Sequence, residues 1–147
     1  MKIIVDADAC PVKDIVMEEA ARVSTSVTLV SSLSHYSGKD LPTHVKAVYV
    51  EAGPDAADFK IVQLAKKEDI VITQDYGLAS LLLPKGCIVL HHKGFEYNDM
   101  NIDNLLATRH MGSMIRKGGG RTKGPKPFSN EDRAAFSSLF RSKLEMM

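Results

Sequence analysis

Hydrophobic positions fall along this chain in short blocks of two kinds. Lys2-Ile3-Ile4-Val5, Val27-Thr28-Leu29-Val30, Val45 to Val50, Ile70-Val71-Ile72-Thr73 and Cys87-Ile88-Val89-Leu90 are apolar, largely β-branched and bounded by polar, Gly or Pro positions. Such runs read as strands, the continuous ones as strands buried on both faces. Between them apolar residues recur at helical spacing. Val12, Ile15 and Val16 predict a helix over Pro11–Arg22. Phe59, Val62 and Ala65 predict one over Ala56–Lys67. Tyr76 to Leu83 reads as a short helix stopped by Pro84, and Ile102 to Met114 as another. Ser129-Asn130-Glu131-Asp132 can cap a last helix over residues 129–145, carried by Phe136, Leu139, Phe140 and Leu144. Strands alternating with helices predict an α/β fold with a mostly parallel sheet of about five strands. The stretch from Ser31 to Thr43 reads as a loop.

Length and composition narrow this picture. At 147 residues the chain fits a single domain over 1–147, and 44% hydrophobic with 25% charged residues is ordinary for a globular protein. No apolar run approaches the ~20 residues of a membrane span. Asp6 follows only three apolar residues, so the N-terminus does not read as a signal peptide, and the expected compartment is cytoplasmic. Cys10 and Cys87 are too few for a disulfide framework. Cys87 reads as core, and Cys10 stands at a predicted helix start, where thiol pKa values fall. His35, His44, His91, His92 and His110 show no metal-site spacing, and His91-His92 should point to opposite faces after their strand.

The net charge of +1 conceals a division. Residues 1–103 hold 15 acids against 10 Lys and Arg, whereas residues 104–147 hold 3 acids against 9. In the first part, three predicted strands end on an acid: Asp6, Glu51 and Asp75. Asp8 lies just past Asp6, and Asp55 and Asp58 stand where the third strand gives way to a helix. Ligands of open α/β sheets bind beyond the carboxyl ends of the strands. Carboxylates gathered there repel unless a hard cation such as Mg²⁺ or Mn²⁺ neutralises them, and those ions support hydrolysis of phosphate esters. The competing reading is that Asp8, Asp55 and Asp58 merely cap helices. In the second part, Arg109, Arg116, Lys117, Arg121, Lys123 and Lys126 occur with no intervening acid, and a basic Gly-rich loop is expected over 116–127. Cations beside unencumbered backbone suit phosphate, so nucleic acid, RNA before DNA, is the expected partner.

Some of these residues resemble known families. Asp58-Phe59-Lys60-Ile61-Val62-Gln63-Leu64-Ala65 followed by Ile70-Val71-Ile72-Thr73-Gln74-Asp75 resembles the second half of PIN-domain nucleases, and Asp6 matches their first acid. Asp6-Ala7-Asp8-Ala9-Cys10-Pro11-Val12-Lys13, Gly53-Pro54-Asp55-Ala56-Ala57-Asp58 and Gly119-Gly120-Arg121-Thr122-Lys123-Gly124-Pro125 look like the bacterial YaiI/YqxD family, which is regarded as PIN-like. The resemblance implies a three-layer, Rossmann-like fold and metal-dependent nuclease activity, with Asp6, Asp58 and Asp75 as catalytic and metal-holding candidates. PIN nucleases add a Glu from an early helix. Here Glu18 and Glu19 come late in the first helix, and Asp8 and Asp55 are the acids available instead. Two other readings stand beside this one. The first is a nucleic-acid-binding module with a degenerate metal site. The second is a haloacid-dehalogenase-like phosphatase, suggested by Asp6-Ala7-Asp8, for which Glu131-Asp132 is the only late acid pair.

Overall fold

The structure, a computed structural model, describes residues 1–51, 53, 55–120 and 127–146. Its elements run β1 (Ile3–Asp6), α1 (Lys13–Arg22), β2 (Val27–Ser32), β3 (Val45–Val50), α2 (Ala56–Leu64), β4 (Ile70–Ile72), α3 (Tyr76–Leu82), β5 (Ile88–His91), β6 (Phe95–Glu96), α4 (Ile102–Lys117) and α5 (Asn130–Glu145). The strands form one six-stranded sheet ordered β3-β2-β1-β4-β5-β6. Five strands are parallel, and β6 folds back antiparallel on β5. The chain therefore begins in the middle of the sheet, builds outward through β2 and β3, and then returns to place β4 on the other side of β1. The order reverses between β1 and β4, and the carboxyl ends of those two strands are where such folds bind ligands.

Strand alternation sorts the core into two layers. Ile3 and Val5 of β1, with Ile70 and Ile72 of β4, pack under α1 and α5 against Phe136, Phe140 and Leu144. Ile4 and Val71 face the other way, toward Ile61 of α2, Leu78 and Leu82 of α3, and Ile102 of α4. The result is a three-layer, Rossmann-like α/β domain. Asp6 shares the parity of Ile4, so it leaves the sheet on the side of α2 and α3. Among the described residues, no helix is long and apolar enough to cross a membrane.

The departures from the sequence-based expectation have local causes. The two-residue β6 was not expected because it is too short to carry a pattern. β2 runs on through Ser31 and Ser32, which pair with Tyr49 and Val50 of β3, so these serines belong to the sheet and not to a loop. Pro11 lies in a turn two residues ahead of α1. Ser129 caps α5 in a reciprocal capping box with Asp132, so the helix proper starts at Asn130. α4 extends beyond Met114, and Arg116 and Lys117 form its last turn instead of opening a loop, their charge favoured by the helix dipole. Arg121, Lys123 and Lys126 lie outside the described residues. His91 and His92 are both buried, with ring centroids 4.5 Å apart, and Phe95 stacks on His91. Burial pushes His91 down to about 4, and His92 below the usual imidazole value. Cys10 also departs from expectation, since burial pushes its thiol up to about 11.

Candidate functional site

The carboxyl edge of the sheet carries a cleft of about 260 Å³ lined by Asp6, Asp8, Glu51, Asp55, Asp58 and Asp75, with Ser32 and Gly53. Each acid arrives by a different local device. Asp6 is the last residue of β1. Asp8 sits in the 3-10 turn Ala7–Ala9 that follows. Glu51 is the first residue past β3. Asp55 precedes α2 in the left-handed region at φ 64°, a conformation that Asp tolerates better than most residues, and its side chain makes no cap bond. Asp58 lies in the first turn of α2, three residues on. Asp75 caps α3, its Oδ1 accepting from the Leu78 N–H at 3.2 Å. Simple capping thus accounts for part of Asp75 and for neither Asp55 nor Asp8.

Hydrogen bonds divide these acids into a supported group and a crowded one. Asp8 Oδ1 accepts from Ser31 Oγ at 2.6 Å, both its oxygens face the Ser32 N–H at 3.1 and 3.2 Å, and His35 Nδ1 lies 3.0 Å away. Burial raises the Asp8 carboxyl, but these donors outweigh it and hold the group below the usual carboxylate range. Asp6 Oδ2 accepts from Thr73 Oγ1 at 2.9 Å, and the same Thr73 oxygen accepts from the Asp75 N–H at 3.0 Å. Burial, with the charges of Asp75 and Asp8, nevertheless lifts Asp6 above its usual value. Asp58 is pushed up to about 7 by burial first, then by the charges of Asp75 and Asp6, a hydrogen bond to Asp75, and Asp55. Asp58 thus bears the cost of the crowding, its charged form disfavoured by burial and by the neighbouring carboxylates.

A cation meets this group. Arg109 of α4 places Nη1 3.3 Å from Asp75 Oδ1. Gly77 keeps that approach open, because a Cβ there would sit 3.2 Å from both atoms. Arg116 lies seven residues further along α4, on the same face and about 10 Å from Arg109 along the helix axis. α4 thus leads from the mouth of the cleft toward the basic segment.

Two acids outside the cleft are structural. Glu19 is buried between Arg22 and Arg141, each 2.8 Å away, and ties α1 to α5 well apart from the cleft. Asp132 serves the α5 cap. Of the other residues here, the sequence marks Glu51 as a strand-ending acid and Ser31 as one of the serines past the second strand, and it singles out neither Thr73 nor His35 for the site. Thr73 had a signal in its Thr-x-Asp spacing. His35 had none, because its role depends on how far β2 extends.

The donor set suits a hard divalent cation in its chemistry, since the cleft gathers six carboxylates and its acids outnumber the cations that meet them. Among the described residues, however, no three His, Cys, Asp or Glu are placed to hold one ion. The carboxylates are near enough for their charges to raise Asp6 and Asp58, without converging on a common point.

Comparison with known sequences decides the family. The profile of the "Uncharacterized BCR, YaiI/YqxD family" matches residues 4–146. The chain belongs to the YaiI/YqxD family. A UPF0178 protein of Bacillus cereus (strain ZK / E33L) is 61% identical over 142 residues, covering 97% of each chain. Another, from Bacillus thuringiensis subsp. konkukian, is 59% identical over 146 residues, covering 99% of this chain and all of the relative. The crystal structure of Rae1 (YacP) from Bacillus subtilis aligns over 99% of both chains at 17% identity and a TM-score of 0.44, too remote a likeness to speak for function. The YaiI/YqxD match includes Asp6, Asp8, Asp55, Asp58 and Asp75, so the whole cleft lies within the shared sequence.

Proposed function

We propose that this YaiI/YqxD protein is a divalent-cation-dependent phosphodiesterase that cleaves nucleic acid, RNA in preference to DNA. One observation carries this reading: six carboxylates from the ends of β1 and β3 and the starts of α2 and α3 line a single cleft above the β1/β4 switch point. An apo protein gains nothing from such crowding, and a cation relieves it. Mg²⁺ or Mn²⁺ would be held by Asp6, Asp58 and Asp75 once it draws them toward one point, with Asp55 beside them and Asp8 bracing the end of β2. A bound cation there supplies charge neutralisation and activates water for attack on a phosphodiester.

The chain's own residues supply the rest. Thr73 fixes Asp6 and the backbone before α3 through one hydroxyl. Arg109 stands at the mouth, where a phosphate oxygen can replace its contact with Asp75. Arg116 and Lys117, and in sequence Arg121, Lys123 and Lys126, extend positive charge away from the cleft for the nucleic-acid backbone. The haloacid-dehalogenase-like reading is weaker, because Asp132 is committed to a helix cap and Asp8 to Ser31 and Ser32.

Cleavage of a single-stranded RNA in Mn²⁺, compared between wild type and Asp6→Asn, tests the proposal. The wild type should cut, and the variant or added chelator should abolish cutting. Equal cleavage by both would point to a contaminant and remove the assignment. Salt-sensitive RNA binding that persists in chelator without cleavage would leave a binding module in its place.

A further inference from the structure

Beside the acidic cleft lies a second hollow of about 260 Å³, lined by Phe59 of α2, Gly77, Leu78 and Leu81 of α3, and Arg109 of α4, and sharing Asp55, Asp58 and Asp75 with the cleft. Its floor is unusual for a surface. Phe59 is 70% exposed and Leu81 55% exposed, although Ile61 on the same helix as Phe59, and Leu78 and Leu82 on the same helix as Leu81, are buried. Phe59 directly follows Asp58, so the same first turn of α2 that delivers the carboxylate also delivers the ring. Arg109 also lines the hollow, with its guanidinium 3.3 Å from Asp75.

We infer that this shelf is a base-stacking site: the base next to the reacting phosphate lies on Phe59 and Leu81, and Arg109 takes the phosphate of the same nucleotide. The inference rests on the phosphodiesterase reading for its ligand class. It adds that the substrate strand is unpaired at this point. A base in a duplex is already stacked on its neighbours, whereas an unpaired base has a free face, and an exposed aromatic ring rewards any of the four bases. The hollow combines exposed apolar side chains, a guanidinium and direct continuity with the acids. That combination matches a nucleotide with a neutral base and a charged phosphate, and it suits a purely apolar ligand poorly.

The chain contains no tryptophan, so Phe59→Trp installs a single fluorescent reporter on the shelf itself. Titration with a single-stranded RNA ten-mer at low salt, in Ca²⁺ and again in EDTA, should quench this fluorescence to saturation. The same RNA annealed into a blunt duplex should leave it unchanged. In parallel, Phe59→Ala should weaken single-strand binding, read by anisotropy, on the order of 5- to 100-fold, and Phe59→Tyr should stay within about 2-fold of wild type. An exposed side chain makes these changes safe for folding. A tryptophan signal indifferent to saturating single strand, or wild-type affinity in Phe59→Ala, would overturn the inference. Neither readout needs cleavage. RNA left intact in Mn²⁺ beside a quenched reporter removes the hydrolytic reading and keeps the shelf; cleavage beside a silent reporter does the reverse.

Discussion

Asp69 and Asp58 stand at opposite ends of the same sheet and show how position and partners decide what an acid is for. Asp69, just before β4, is buried and fully answered. It accepts from the Lys2 N–H at 3.1 Å, the Lys2 ammonium at 2.7 Å and the Lys66 N–H at 2.8 Å. Burial raises it, yet those donors win and hold it below the usual range. Its job is to fasten the first strand to the loop before β4. Asp58 is less buried, but its nearest polar company is Asp75, Asp6 and Asp55, and it is driven the other way. The amino-terminal edge of the sheet is built for stability. The carboxyl edge carries unrelieved repulsion, which a fold tolerates where a ligand will remove it.

The sharpest way to break this comparison is to neutralise each acid in turn. Asp58→Asn should lower RNA cleavage a hundredfold or more, on the order of the loss when one electrostatic stabiliser is removed from an active site. Its chemical denaturation midpoint in chelator should not fall. Asp69→Ala should do the opposite, costing roughly 2–3 kcal/mol of unfolding free energy by stranding two N–H groups and the Lys2 ammonium. Cleavage per folded molecule should stay near wild type. If both variants lose stability equally, the two edges are alike and the contrast fails.

A smaller effect concerns pH. Asp58 has a folded value raised above its unfolded one, so its contribution to stability is fully present below about 4 and is lost as pH rises through about 7. Asp69 has a depressed value, so its contribution is complete above the unfolded value and is lost only in acid. Buried His91 is depressed as well, and its destabilising influence grows only as pH falls below about 6.5 toward 4. Between pH 6.5 and 8 in chelator, unfolding free energy should therefore decline. The decline should be below about 1 kcal/mol, because Asp58 is partly screened by solvent, and Asp58→Asn should flatten it. A wild-type curve that rises over this window would mean that Asp58 is ionised and the crowding is absent. The smallest effect lies on α4. Lys117→Gln should reduce the slope of log affinity against log salt for single-stranded RNA by about 0.7, without changing which sequence is bound.

Much of this was legible in the sequence because it depends on period and punctuation. Ile3-Ile4-Val5 and Ile70-Val71-Ile72 announced the central strands, and the acids that follow them announced the cleft. What escaped depends on contacts between distant segments. The extension of β2 through Ser31 and Ser32 comes from pairing with Tyr49 and Val50, and it alone brings Ser31 to Asp8. Burial of His91 and His92 comes from β6, Phe95 and Phe128, none of which marks a histidine as interior in a linear reading. The basic half was legible as charge but not as shape. Arg109 looked like part of a loop-centred phosphate surface, whereas α4 brings it to Asp75.

The central claim is that the acids at the carboxyl edge are set against one another until a divalent cation joins them. Thermal unfolding at pH 7.5, with and without Mn²⁺, for wild type and Asp58→Asn, tests it most directly. The account predicts that Mn²⁺ raises the wild-type Tm by several degrees through binding to the folded state alone, and leaves the variant almost unmoved. An unshifted wild type, or equal shifts in both proteins, would contradict it.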